Sequence, residues 1–235
     1  MRSVGFTTAL FALLLALLPF NMVAQTEFMP GDVVSDDFIA NHDYREFFTS
    51  EAVSDSVFSL MQGKSWKNNC TTSRSALRYL RCLHKNIDGE SIVGEMIVNE
   101  KIAQKVLNIL CELYENDYPI EKMLLIDNWD GVDEQSMQAN NSSSFNFRFI
   151  SHTTKVSKHG EGMAVDINPL YNPYVKTVKG KNVVEPSSAR AYLDRTKNHR
   201  YMIKRGDLCY RLFIKNGFRW GGDWKYSKDY QHFEM

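Results

Sequence analysis

Two histidines and two aspartates in the C-terminal part of the chain have the types and spacing of a metal-dependent hydrolytic site. His159 lies in the stretch "KHGEGMAVDINP", and Asp166 follows it seven positions later. Asp229 and His232 are three positions apart in "GGDWKYSKDYQHFEM". Two histidines and one carboxylate are a common ligand set for catalytic zinc, with a fourth position left for water. The sequence therefore predicts a site for one zinc ion.

The residues around His159 and Asp166 predict the elements that position them. Gly160 and Gly162 disfavour a helix and favour a tight turn that brings His159 to the mouth of a strand. Asp166 then lies on that strand, facing away from its two aliphatic neighbours because side chains alternate. A carboxylate in so apolar a stretch needs a cation or strong hydrogen-bond donors to stay ionised.

Asp229 is the candidate general base. Zinc lowers the pKa of water bound to it to about 7, and a neighbouring carboxylate can then take the proton. Asp229 and His232 cannot share a face of a regular strand, because their separation is odd. We therefore predict a turn across Tyr230 and Gln231.

Other hydrolytic sites fit the sequence less well. A nucleophilic triad of Ser157, His159 and Asp166 lacks the G-x-S-x-G elbow, and a serine and a histidine two apart on one strand rarely meet productively. A glycosidase pair of carboxylates would leave both histidines unexplained. Taken singly, each histidine or aspartate is more simply a packed or solvated side chain. Their co-occurrence favours the metal site.

Composition and the N-terminal segment limit the partners and the compartment. The 235 residues carry 28 positive and 28 negative side chains, so nucleic acid and anionic membrane surfaces are poor candidate partners. Residues 1–24 have a thin positive start and the apolar run "ALFALLLALLPF", which predicts a signal peptide cleaved after Ala24. We expect an exported protein, periplasmic or secreted, without a membrane span after cleavage, and monomeric.

Four scattered cysteines do not form a recognisable motif. They include no C-x-x-C pair, which argues against a zinc ribbon or a thioredoxin-like site. In an exported chain they could form one or two disulfides, and buried free thiols are an equal alternative. The residues are Cys70, Cys82, Cys111 and Cys209.

The rest of the chain predicts an α+β fold, in which a small antiparallel sheet holds the zinc site and helices pack on one side. Residues 25–94 are expected to form an N-terminal extension, with a helix closed by Gly63 and a hairpin turning at "DGE". Residues 95–235 are expected to form the catalytic domain, starting with a helix capped by Asn99. "IEKMLLIDNW" predicts a strand, and "DGVDEQSMQANNSSSFNFR" predicts a long polar loop.

The second half of the catalytic domain predicts alternating short elements. "AVDINPLYNPY" indicates a strand interrupted by Pro169. "SSARAYLDRT" and "RGDLCYRLFIKNG" predict helices, the second ending at Gly217. "FRWGGDW" and "QHFEM" predict closing strands.

Two motifs resemble a known peptidase family. "SKHGEGMAVDI" fits the pattern S-x-H-x-x-G-x-A-x-D, and "GGDWKYSKDYQHFE" fits W-x(n)-D-x-x-H-F-E. Together they resemble the VanY-type D-alanyl-D-alanine carboxypeptidases, and most closely the L-alanyl-D-glutamate endopeptidase branch. The resemblance covers residues 95–235, and "SMQANNSSSFNFR" is similar to the loop before the zinc motif in that branch. It implies a fold like that of the hedgehog and D-Ala-D-Ala peptidases.

The resemblance also implies a role for each site residue. The zinc ligands would be His159, Asp166 and His232, and the catalytic base would be Asp229, where many carboxypeptidase relatives have glutamate. Arg148 would contact the substrate and stabilise the oxyanion, although a surface arginine on a strand is an alternative interpretation. Ser157 would donate a hydrogen bond to the substrate or to a neighbouring site residue, and Trp224 would line the substrate cleft or simply pack. Glu234 would orient a ligand histidine.

The implied activity is hydrolysis of peptidoglycan stem peptides, with L-alanyl-D-glutamate cleavage favoured and D-alanyl-D-alanine carboxypeptidase activity as the alternative. Two hypotheses of other classes are a zinc-containing cell-wall binding module without catalysis and a secreted structural domain with an incidental metal. Asp229 and Arg148 argue against the binding module, because recognition alone needs neither a base nor an oxyanion donor.

Overall fold

The computed structural model describes residues 28–150 and 153–235, so the predicted signal peptide lies outside the described residues. Within these ranges the chain combines short helices with antiparallel strands, which confirms the α+β class. The strands are β1 Val33–Val34, β2 Thr49–Ala52, β3 Leu77–Lys85, β4 Ser91–Asn99, β5 Ala164–Asp166, β6 Tyr174–Val178, β7 Lys181–Glu185, β8 Arg219–Trp220, β9 Lys228–Asp229 and β10 His232–Glu234. The helices are α1 Asp36–Asn41, α2 Asp55–Met61, α3 Glu100–Glu115, α4 Asp133–Gln138 and α5 Leu208–Lys215.

The strands form three antiparallel sheets. The largest has the order β1-β4-β3-β2 and is built on the β3–β4 hairpin. The second has the order β5-β10-β8, and the third has the order β7-β6-β9. Among the described residues, no helix is long and apolar enough to cross a membrane.

The β3–β4 hairpin confirms the predicted pairing about the "DGE" turn and is covered on both faces. Its register runs from Leu77 opposite Asn99 to Lys85 opposite Ser91. Leu80 lies in the core cluster that α3 shares. Leu77 lies in another cluster, with aromatic residues 145 and 147. Both faces are so well covered that even charged residues of the hairpin, such as Arg81 and Glu95, are buried.

Helix α3 is the longest helix of the described chain, and the sequence predicted its cap and its apolar face. The Asn99 side chain accepts a hydrogen bond from the Lys101 backbone N–H at 3.1 Å. Burying one aliphatic side chain of the apolar face stabilises the fold by about 1.5–3 kcal/mol relative to leaving it exposed. The predicted stripe is buried throughout and comprises Ile102, Val106, Leu107, Ile109, Leu110 and Leu113.

Helices α2 and α5 also form where predicted. Asp207 caps α5 by accepting a hydrogen bond from the Tyr210 backbone N–H. Gly217 follows that helix with a φ of 90°, a left-handed conformation that glycine adopts without steric cost. Strands β8 and β10 then pair with each other, as expected for the two closing segments.

The segment "IEKMLLIDNW" is not the strand that the sequence predicted. It makes one isolated bridge, at Lys122, and ends in a 3-10 helix at Ile126–Trp129. Ile120 donates to the Lys85 carbonyl at the end of β3, but several of the following backbone N–H groups find side-chain acceptors. Leu124 donates to Asn141 Oδ1, and Leu125 donates to Glu95 Oε1. An apolar run whose backbone is satisfied by side chains has no need of a sheet.

The segment predicted as a long polar loop is partly helical, and most of residues 140–147 are buried. It contains α4. A separate later segment, "SSARAYLDRT", was predicted to be an α-helix and forms a 3-10 helix at Ser187–Tyr192. Asn140 and Asn141 are at most 1% exposed, because their side chains bond to neighbouring segments. Polar composition was therefore a poor guide to exposure here.

The apolar core crosses the boundary that we predicted at residues 94 and 95. That position lies within β4. A single cluster joins Leu80 of β3 to Val165 of β5 and Phe233 of β10. The division into an extension and a catalytic domain stays a prediction.

All four cysteines lie in the described part of the chain, and none forms a disulfide.

Candidate active site

Strand pairing places His232 directly opposite Asp166. Strands β5 and β10 are antiparallel, and these two residues are partners in the register, so their side chains point to the same face. The other edge of β5 is covered by Ser143, which exchanges two backbone hydrogen bonds with Asp166. The aspartate is thereby fixed from both sides.

His159 reaches the same face from a tight turn, as the glycines predicted. The turn closes through a hydrogen bond from the Gly162 N–H to the His159 carbonyl, and Gly162 has a φ of 67°. A Cβ at Gly162 would lie 2.8 Å from the Asn99 nitrogen. Asn99 in turn donates from its backbone to the Gly162 carbonyl and from its side chain to the Glu161 carbonyl. The end of the hairpin therefore holds the turn in place.

The three side chains converge within hydrogen-bond distance of one another. His159 Nε2 lies 3.0 Å from His232 Nδ1 and 3.2 Å from Asp166 Oδ2. His232 Nδ1 lies 3.1 Å from Asp166 Oδ1. Both histidines are 5% exposed, and the Asp166 side chain is 13% exposed. One nitrogen of each ring and one carboxylate thus face a common point.

The other nitrogen of each imidazole has a partner of its own. His159 Nδ1 lies 2.7 Å from the Ser144 carbonyl, and His232 Nε2 lies 3.3 Å from Glu234 Oε2. Such contacts fix the orientation and tautomer of a metal-binding histidine and raise its basicity. Glu234 contacts His232 as the sequence suggested, while the Ser144 carbonyl is a backbone group that no side-chain motif could reveal.

These charges shift the protonation equilibria of the metal-free site. Burial opposes ionisation of Asp166, but the charges and hydrogen bonds of His159 and His232 outweigh it and hold the pKa of Asp166 well below its usual range. Burial also disfavours the charged form of His232, yet its bonds to Asp166 and Glu234 raise its pKa to about 10. The site is built to hold positive charge.

The donor set and its geometry fit a divalent zinc ion. The candidate ligand atoms of His159, Asp166 and His232 all lie within 4.8 Å of one another. Their chemistry is that of a three-ligand catalytic site. The strong preference for positive charge between three buried groups is the electrostatic condition that a cation would satisfy.

Asp229 lies beside this group on a separate strand. Strand β9 pairs with β6 and ends at Asp229, and β10 begins at His232, so the chain breaks across Tyr230 and Gln231 as predicted. Asp229 Oδ1 is buried and has no hydrogen-bond partner. Burial raises the pKa of Asp229 to about 7, with the negative charge of Asp166 adding to the shift and His232 opposing it.

A glycine makes room for Asp229 next to the histidine. A Cβ at Gly221 would lie 2.7 Å from the Cβ of Asp229 and 3.2 Å from the Cβ of His232. Real Cβ atoms do not approach this closely, so a larger residue would push the two side chains apart. Gly221 therefore sets the spacing between the candidate base and a candidate ligand.

Arg148 lies at the edge of the same site. Its carbonyl accepts a hydrogen bond from Ser157, and a Cβ at Gly160 would lie 3.1 Å from that carbonyl oxygen. The guanidinium Nε lies 3.1 Å from Asp133 Oδ2, while Nη1 is buried without a partner. Its positive charge lowers the pKa values of both Glu185 and Asp229, although burial raises each of these pKa values overall.

The two predicted substrate contacts occupy different positions. Ser157 Oγ accepts a hydrogen bond from the Gly160 N–H at 3.1 Å, which places it inside the turn that carries His159. The Trp224 ring centroid lies 5.3 Å from that of His232, and the indole is half-buried. Trp224 thus borders the site, whereas Ser157 stabilises the turn that carries His159. Substrate contact stays a prediction for both.

Sequence reasoning missed Asp133, which lies in the segment that we predicted to be an irregular loop. It is the first residue of α4 and contacts Arg148. An aspartate at a helix N-terminus ordinarily indicates a cap or a favourable dipole interaction, so its pattern carried no signal for the site.

Comparison with known proteins supports the family that the motifs indicated. Residues 151–235 match a family model described as D-alanyl-D-alanine carboxypeptidase. The match includes the three candidate ligands and Asp229, whereas Arg148 precedes it. The VanY-type resemblance is thereby confirmed for this part of the chain, and a peptidase activity is supported. No curated protein and no solved structure matches the chain.

Proposed function

We propose that the protein is an exported, zinc-dependent peptidase that cleaves the peptide stems of bacterial peptidoglycan. The observation that carries the proposal is the convergence of His159, Asp166 and His232 beside the unpartnered carboxylate oxygen of Asp229. The family match supports the peptidase and the class of substrate. The fold of the site would be of the hedgehog and D-Ala-D-Ala peptidase type.

The chemistry divides between the bound ion and the side chains around it. Zinc, when bound by the three ligands, would act as a Lewis acid and make water a better nucleophile. Asp229 would take the proton of the attacking water and pass it to the leaving amine. Arg148 Nη1, which is buried and unpartnered, would stabilise the negative charge that develops on the carbonyl oxygen.

Two bonds of the stem peptide are candidates for cleavage. An aspartate at the base position favours the L-alanyl-D-glutamate bond, through the motif resemblance. The description of the matching family model favours removal of a terminal D-alanine. We propose the endopeptidase activity first and the carboxypeptidase activity second.

Purified stem peptides with mass-spectrometric identification of the products test both assignments. Fragments cut between L-alanine and D-glutamate support the endopeptidase, and loss of one terminal alanine supports the carboxypeptidase. A zinc-loaded protein that leaves every stem peptide intact would contradict the enzymatic proposal and favour a cell-wall binding module. Metal analysis after zinc repletion should give about one equivalent, because a three-ligand site fills readily. Less than half would contradict the zinc site.

Export is part of the proposal, because the predicted signal peptide would place the enzyme where the cell wall lies. N-terminal sequencing of the protein recovered from the periplasm or the medium would test it. A mature chain starting at Gln25 is expected, and an uncleaved cytosolic chain would contradict export.

A further inference from the structure

Arg148 pairs with one oxygen of a carboxylate, that of Asp133, which belongs to neither the metal site nor the family motifs. Asp133 Oδ2 lies 3.1 Å from Arg148 Nε. Asp133 Oδ1 accepts a hydrogen bond from Asn146 Nδ2 at 2.9 Å. Each oxygen therefore has its own donor, and the carboxylate joins two residues of the same segment.

Asn146 links this contact to the histidine turn. It is 2% exposed, and its backbone N–H donates to the His159 carbonyl at 3.2 Å. Its side chain also donates to the Gly131 carbonyl, which fixes the amide relative to the start of α4. Asn146 therefore ties Asp133 to the backbone of His159, which is a candidate ligand. Because Asp133 pairs with Arg148, the Arg148 guanidinium is tied to the same backbone.

One nitrogen of the Arg148 guanidinium has a partner in the protein, and another has none. Nε is engaged by Asp133, while Nη1 is buried with no partner in the protein. A buried donor without a partner destabilises the folded protein. Such a donor needs an explanation, and a role in contacting the substrate supplies one.

We infer that Asp133 is a positioning residue, which orients Arg148 so that Nη1 faces the reacting carbonyl or carboxylate of the substrate. This inference rests on the proposed function. Asp133 does not touch the substrate and acts only through Arg148. Misplacing a catalytic group by about 1 Å can lower the rate about 100-fold.

Asparagine at position 133 separates this role from simple packing. The carboxylate offers acceptors to both Arg148 Nε and Asn146 Nδ2, whereas an amide of the same shape has a single acceptor oxygen. Asp133→Asn therefore breaks one of the two contacts without removing volume. The matched control is Glu134→Gln, which removes the same charge from the next residue, whose carboxylate bonds Ser187 and Gln138 instead.

The experiment is a double-mutant cycle on kcat/KM with the zinc-loaded protein. Asp133→Asn should lower kcat/KM about 10- to 100-fold when Arg148 is present and less than about twofold in an Arg148→Ala background. Zinc content and Tm should stay at their wild-type values, and Glu134→Gln should lie within about twofold of wild type. An equal loss in both backgrounds, or a loss of zinc, would overturn the positioning role.

A second measurement does not depend on activity. The ¹⁵N resonance of Arg148 Nε should shift and exchange faster with solvent in Asp133→Asn, and should be unchanged in Glu134→Gln. An unchanged resonance in Asp133→Asn would overturn the inference even in an inactive protein. Absence of hydrolysis by the wild type, with the Nε signal still dependent on Asp133, would refute the proposed function alone.

Discussion

Two buried histidines in different parts of the molecule have opposite protonation behaviour. His84, in the β3–β4 hairpin, is 3% exposed, and its Nδ1 lies 2.7 Å from the Ile120 carbonyl. Burial lowers its pKa to about 4. His232 is buried to a similar degree, yet its two carboxylate contacts raise its pKa to about 10. Burial alone keeps the imidazole of His84 neutral, whereas contacts with two carboxylates favour the charged form of the His232 imidazole.

The contrast extends to the regions that hold these histidines. The hairpin strands are nine residues long and covered by apolar clusters on both faces. The strands of the site sheet have two or three residues, and between them lie buried polar groups. Long paired strands supply stability through packing, while short strands let several loops bring polar side chains to one point. Variants in the two regions should therefore fail in different ways.

The largest effect is expected from Asp229→Ala, which removes the candidate base while leaving the three ligands in place. Hydrolysis should fall about 10²- to 10⁴-fold, measured as kcat/KM on the cleaved stem peptide, with zinc content unchanged. Asp223→Ala is the matched control, because Asp223 lies nearby but pairs with Arg205 at the surface. Full activity in Asp229→Ala would show that another group takes the proton.

Leu80→Ala tests the other side of the comparison. This side chain is fully buried in the cluster that α3 shares, so truncation should lower the free energy of unfolding by about 2–5 kcal/mol. Urea denaturation measures the loss, and the folded protein should still bind one zinc. Leu60→Ala, at a position 57% exposed, should change stability by less than about 0.5 kcal/mol. A loss of zinc in folded Leu80→Ala would show that the two regions are not separable in function.

Glu234→Gln sharpens the comparison at the site itself. The amide would keep the shape but would hold the His232 imidazole less firmly, so zinc affinity should fall about 10- to 100-fold. Competition with a chromogenic chelator gives the ratio. Glu161→Gln is the control, since the Glu161 carboxylate pairs with Lys158. Equal zinc affinities in the two variants would argue that Glu234 serves only its ion pair with Arg219.

A pH dependence, which is the smallest of these effects for a change of one pH unit, distinguishes the two histidines. His232 has a pKa raised from 6.5 to about 10 in the metal-free protein, so its charged form stabilises that protein fully below pH 6.5 and less as the pH rises to 10. Zinc needs the neutral ring, so its apparent affinity should rise about tenfold per pH unit between pH 7 and 9.

Calorimetry in buffers of different ionisation enthalpy should show at least one proton released per zinc bound at pH 7.5, one from His232 and a further fraction from the zinc-bound water. The His84 ring signals in NMR spectra should not titrate between pH 6 and 9. Zinc binding without proton release would contradict the charged state of His232, and titration of His84 near pH 6.5 would remove the contrast between the regions.

The sequence predicted elements well where one periodic pattern determined the local structure. The α3 stripe repeats at helical spacing and follows a capping asparagine, and the hairpin has two apolar runs about a short turn. The residue types of the three candidate ligands and the turn at Gly162 were also predicted, because each lies in a short local motif. Their convergence depends on the β5–β10 register, which motif spacing does not encode.

The segment from residue 120 to residue 148 could not be predicted in the same way, because its structure depends on distant partners. Leu124 and Leu125 satisfy their backbone with side chains from elsewhere, so an apolar run that looks like a strand is irregular. Asn141 and Asn146 are buried by long-range hydrogen bonds, so a polar run that looks like a loop is part of the core. Asp133 escaped notice because its role arises only from that packing.

The contacts of Asn99 bear on which stretch of chain can be produced as an autonomous unit. This one residue ends β4, caps α3 and bonds the two carbonyls of the histidine turn. An excised fragment starting at residue 151, where the family similarity begins, would leave the Glu161 and Gly162 carbonyls without these donors. It would also remove the part of the core cluster around Val165 that β3, β4 and α3 supply. Sequence similarity here marks the portion that carries the chemistry, and the smallest foldable protein must also include the hairpin.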